Sequence, residues 1–141
     1  MHSIWTNIIV LAVAAMFLAP VGVMFSTLQA NAQTTQQIVK GNCDSCAEAC
    51  KKAITHCTEK KGDYNKASVT GALKDCVSVC QSTSQLLARS SGLEKKSVSI
   101  CIEACLKAAQ AMDAFPKDAE MQACANECRK CASNLEKTQK G

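Results

Sequence analysis

Four pairs of cysteines, each separated by three residues, run through the chain: Cys46/Cys50, Cys76/Cys80, Cys101/Cys105 and Cys124/Cys128. Residues four apart on an α-helix lie on one face with side chains ~5–6 Å apart, so this spacing asks for helices that each turn two sulfurs the same way. The surrounding residues agree. In the first predicted helix the heptad seam reads Cys43, Cys46, Cys50, Ala53 and Cys57, while Asp44, Glu48, Lys51 and Lys52 take other faces. The third seam is Val98, Cys101, Cys105, Ala108 and Met112, and the fourth is Met121, Cys124, Cys128, Cys131 and Leu135. The second is looser, with Val69, Leu73, Cys76, Val79, Cys80 and the Leu86-Leu87 pair forming a wider stripe. All 11 cysteines thus face one interior.

Turn chemistry falls between these stripes, at Lys60–Asn65 around Gly62-Asp63, at Ser90-Ser91-Gly92, and at Phe115-Pro116. Asn42 or Asp44 is the expected start of the first helix and Asn65 or Ser68 of the second, and Pro116 suits the first turn of the fourth. Short connections make consecutive helices antiparallel neighbours, which predicts an all-α, up-down-up-down four-helix bundle over residues 42–138. No β-period alternation competes with it. With one tryptophan, one tyrosine and three phenylalanines, the core is expected to be poor in large side chains.

The N-terminal part reads differently. Ile8 to Phe25 carries no charge, and the small triplet Ala30-Asn31-Ala32 follows, so residues 1–32 are expected to be a signal peptide cleaved after Ala32. The first basic residue is Lys40, which makes the front end atypical. The alternative is a retained membrane anchor, in which Pro20, Gly22 and the length make a span marginal. Residues 33–41 are expected to be a polar linker. The protein is therefore expected to be exported, periplasmic or otherwise extracytoplasmic.

Along the bundle, ~1.5 Å per residue puts Cys50, Cys76, Cys105 and Cys124 at about 14–17 Å and Cys46, Cys80, Cys101 and Cys128 at about 20–23 Å from one end. Cys43 and Cys131 lie above these layers and Cys57 below. Such a sulfur column suits a soft metal: thiolates select Cu(I), zinc or iron-sulfur clusters. Zinc takes four ligands in a tetrahedron, whereas Cu(I) accepts two or three and tolerates bridging sulfur, so multiple Cu(I) ions fit an odd, dense set better. Two other readings stay open. The cysteines can staple the helices as disulfides in an adaptor or chaperone, although one thiol of an odd count must stay unpaired. Cys43/Cys46 with Cys128/Cys131 can instead make a small structural zinc-thiolate site.

Met112 and Met121 occupy seam positions near Cys57 and are candidate soft ligands, although methionine is also ordinary core filler. His56 is a third candidate, weakened because adjacent helix positions point different ways. No Ser/His/Asp set, paired carboxylate site or phosphate loop is present, so no catalytic residues are assigned and no enzyme activity is expected. The net charge is +4, with basic residues interspersed among acids and no aromatic interleaving. That excludes a nucleic-acid footprint.

The repeated CxxxC pairs over Asn42 to Leu135, behind a signal-like leader, resemble the exported copper storage proteins. The resemblance implies a bundle filled with Cu(I) thiolates, assembly into a small homo-oligomer, and a reservoir that holds copper for cuproenzymes and against toxicity. It also implies exchange with a copper chaperone or a cuproenzyme recipient, and loading through the end near His56, Met112 and Met121. The leader departs from the family in lacking a twin-arginine signal, the first arginine being Arg89.

Overall fold

A computed structural model describes the backbone of residues 19–140 and the side chains of residues 34–140. The expected leader, residues 1–32, lies outside the described side chains. The described residues form four α-helices, α1 (Ala19–Lys60), α2 (Ala67–Ala88), α3 (Glu94–Met112) and α4 (Ala119–Lys140), with a 3-10 turn at Gly62–Asn65 and no strand. Two units divide at residue 35, and the second, Gln36–Gly141, contains the sulfur-rich bundle. The predicted four-helix architecture is the observed one.

Helix starts differ from expectation in two places. Asn42 and Asp44 are interior to α1, because the helix runs unbroken through residues 33–41 and their side chains are spent across the bundle. Asn42 Oδ1 accepts a bond from Asn134 Nδ2 at 3.2 Å. Asp44 accepts one from Ser84 Oγ and one from Lys40 Nζ, both at 2.6 Å. These ties fasten α1 to α4 and α2. The stretch 33–41, expected as a linker, lies within α1, and Val39 is buried in the core. At α4, Pro116 sits ahead of the helix rather than in its first turn. Asp118 is the cap, its Oδ1 accepting the backbone N–H groups of Glu120 (3.1 Å) and Met121 (3.0 Å), which satisfies donors a helix start would leave orphaned.

The turns are tied by backbone. Between α2 and α3, Ser90 and Gly92 take left-handed φ values of 47° and 78°, and Ser91 N–H reaches back to the Leu86 carbonyl at 3.3 Å. Glycine adopts that geometry without the Cβ clash other residues suffer. Between α3 and α4, Gln122 Nε2 donates to the carbonyls of Met112 and Phe115, both at 3.2 Å, so the end of α3 is held by the start of α4.

The core follows the predicted seams. All 11 cysteines are buried, and the largest fully enclosed side chains are Leu73, Met112, Met121 and Leu135. Alanines such as Ala47, Ala53, Ala108 and Ala125 fill the space between helices. Among the described residues, aromatic rings contribute only at the turn end, where Tyr64 and Phe115 stack with centroids 4.1 Å apart. Hydrophobic stabilisation scales with apolar area removed from water. Thiols and methyl groups supply most of it here.

Candidate metal centre

Every cysteine is a free thiol, and ten of them draw into one continuous sulfur cluster. Cys46 of α1 is its hub, with Sγ 3.7 Å from Cys76, 3.6 Å from Cys105 and 3.6 Å from Cys128. Upward, Cys80 lies 3.3 Å from Cys101, which lies 3.8 Å from Cys43. Downward, Cys128 lies 3.5 Å from Cys50, which lies 3.9 Å from Cys124.

Two groups of four sulfurs lie within 4.8 Å of one another: Cys46, Cys80, Cys105 and Cys131, one from each helix, and Cys46, Cys50, Cys76 and Cys128. The predicted layers are thus regrouped. In the upper layer Cys105 and Cys131 stand where Cys101 and Cys128 were expected. In the lower group Cys50 and Cys76 keep their place, while Cys46 and Cys128 replace Cys105 and Cys124. Counting rise per residue treats the helices as parallel rods level at the turn end, whereas α4 begins only at Ala119, beyond the expected Pro116. Cys43/Cys46 with Cys128/Cys131 is not one of these groups.

A tetrahedral thiolate site with ~2.3 Å bonds has edges of about 3.8 Å, close to the separations seen. Each group on its own matches zinc. Both share Cys46, so filling both requires that sulfur to bridge. Bridging thiolates and low coordination numbers are the habit of Cu(I).

Charge in the cluster is uneven. Hydrogen bonding with Cys105, then with Cys128, pushes the Cys46 pKa down, and hydrogen bonding with Cys105 and Cys131 does the same for Cys101. Cys50 is pushed up through its contacts with Cys124 and Cys128, and Cys80 through those with Cys101 and Cys105. One thiolate is thereby solvated by neighbouring thiols, while a second beside it is opposed. A bound cation removes that opposition, since metal takes the place of the displaced protons.

Cys57 stands apart. Its one sulfur contact among the described residues is to Met121 Sδ at 3.8 Å, and burial, followed by the Asp118 carboxylate, raises its pKa. Met112 is fully buried at the same end. His56 does not join the sulfurs: Nε2 lies 2.8 Å from Asp118 Oδ2 and Nδ1 lies 2.5 Å from Glu120 Oε2. Both ring nitrogens face carboxylates. Tyr64 Oη donates to the same Asp118 oxygen at 3.0 Å, and its ring meets His56 edge-on at 5.9 Å. Asp118, Glu120, Tyr64 and Phe115 were missed in the sequence. Only the aspartate three residues before Met121 carried a signal, that of a helix cap.

The fold and the site together define a thiol-cored helical bundle with adjoining metal-binding sulfur groups. A sequence model described as copper storage protein matches residues 31–140, and the chain belongs to the copper storage protein family. No curated protein matches it. No helix among the described residues is long and apolar enough to cross a membrane.

Proposed function

We propose that this protein is a store rather than an enzyme, and that it binds multiple Cu(I) ions through Cys43, Cys46, Cys50, Cys76, Cys80, Cys101, Cys105, Cys124, Cys128 and Cys131, with Cys57 and Met121 as a separate soft pair. The observation that carries this reading is the sharing of Cys46 between two four-sulfur groups, which favours bridged ions over isolated tetrahedral ones. Capacity is on the order of ten ions. Met112 stands by as a further soft donor at the same end. His56 orders the turn end through its two carboxylates. The store works after export, behind a leader removed at Ala32, as a small homo-oligomer of the bundle formed by residues 42–138. It exchanges copper with a chaperone or a cuproenzyme.

Anaerobic Cu(I) titration of the reduced protein tests this. Successive uptake of several ions with a rising melting temperature is expected. Saturation at one ion, or no rise, overturns it. Zinc held in preference to copper in protein purified without air supports the structural zinc site instead, and one free thiol or fewer on denaturation supports the stapled adaptor.

A further inference from the structure

Among the described residues, buried side chains cover the sulfur column toward both ends. At the turn end Cys57, Met112 and Met121 are all 0% exposed, beneath the Tyr64–Phe115 stack and the His56–Asp118 pair. At the other end Leu135 is fully enclosed and Val39, Leu87 and Val98 are buried around it. Among the cysteines, nine are 0% exposed, Cys131 is 1% and Cys124 is 4%. The most exposed of them is therefore on the side of the bundle.

Cys124 also lines a cleft of about 630 Å³ between α1 and α4. Its walls include Ala53 and Ala123, whose methyl groups leave the lining beside Cys124 without large side chains. The rim carries Glu59, Glu120 and Glu127 against Lys52, with Glu120 held by His56 and Glu127 3.6 Å from Lys130, a mildly acidic opening that favours cations. Inward from Cys124 the sulfurs follow at 3.9 Å to Cys50, 3.5 Å to Cys128 and 3.6 Å to Cys46, the hub.

We propose that soft monovalent cations are admitted to the column sideways, through this α1/α4 cleft, with Cys124 as the first thiolate to bind them. The inference rests on the Cu(I)-storage reading and adds its route. At capture a Cu–S bond forms at Cys124 as one to the incoming carrier breaks, and the thiol proton leaves to solvent. At each inward step a bond to the next sulfur forms as one to the last breaks, and the proton of the incoming thiol passes to the vacated thiolate. Copper remains Cu(I) throughout. The covered ends then serve stability rather than traffic.

The first test needs no metal. Native, reduced protein is pulsed with iodoacetamide and the labelled cysteines are mapped by mass spectrometry, with Cys124 expected to react at least about tenfold faster than any other, following its exposure. Cys57 or Cys43 reacting first, or all 11 at one rate, overturns the route. The second test is uptake kinetics from a coloured Cu(I)–bicinchoninate complex. Ala123→Phe places a ring over the cleft at an exposed position and is expected to slow uptake about tenfold while leaving final stoichiometry unchanged. Ser82→Phe, exposed on α2, is the control. Equal slowing in both, or in neither, overturns the proposal. If the wild type takes up no Cu(I), the storage reading falls, while the labelling order still decides whether the cleft is the way to the thiols.

Discussion

The sulfurs of Cys46 and Cys128 lie 3.6 Å apart across the α1–α4 interface, and Cys46 is the one residue common to both four-sulfur groups. Removing it touches both. Cys46→Ser is expected to lower Cu(I) capacity by about two ions and to flatten the cooperativity of loading, because the bridge between groups is gone. Cys57→Ser, whose sulfur meets that of Met121, is expected to cost about one. Parallel anaerobic titrations compare the two. Equal losses would show that the groups load independently.

A core built from alanine and cysteine with four large enclosed side chains gains less from burial than an ordinary bundle, so bound metal is expected to contribute visibly to stability. A ligand that binds only the folded state adds about 2.7 kcal/mol at a free concentration of 100 times its dissociation constant. For a domain of this size each kcal/mol is worth ~4–8 °C. A rise of roughly 10–20 °C on loading is therefore expected by circular dichroism melts. The unloaded protein should recover its lower midpoint when a strong Cu(I) chelator strips it.

Much of this was legible in the residues because two periodicities coincided. Cysteines at i and i+4 both demanded helices and marked their buried face, so the bundle and its sulfur interior could be read without a partner structure. The register between helices was not legible, since it depends on where each helix meets its turn, as at Ala119 beyond Pro116. Asn42 and Asp44 looked like caps because their side chains bond locally in isolated segments, yet here Asn134 and Ser84 engage them. The turn-end cluster was also hidden. Tyr64, His56 and Asp118 are each unremarkable in sequence and meet only once α1 and α4 are packed.

Met121 is both a core residue and a sulfur donor, and the two roles can be separated. Met121→Leu keeps volume and apolar character, so it is expected to cost less than about 1.5 kcal/mol. It removes the 3.8 Å contact to Cys57. Loss of about one Cu(I) with an unchanged apo melting temperature would assign the sulfur a binding role. Unchanged capacity would leave Met121 as packing alone.

Asp118 caps α4 and also accepts from His56 and Tyr64. The His56 ring first, then the Met121 backbone N–H, hold its carboxyl down at about 2, below the ordinary aspartate value. A depressed carboxyl stabilises the fold fully above its unfolded pKa near 3.9, progressively less as the pH falls between the two values, and not at all below the folded one. Asp118→Ala is expected to cost about 1 kcal/mol from the cap alone at neutral pH, or ~4–8 °C. The gap between wild type and variant should narrow as the buffer is taken from pH 5 toward pH 2. Asp118→Asn keeps an acceptor for the helix N–H groups and loses the charge, so it should fall between the two at pH 7. A gap independent of pH across that window would assign the stabilisation to the cap geometry and not to the charge held against His56.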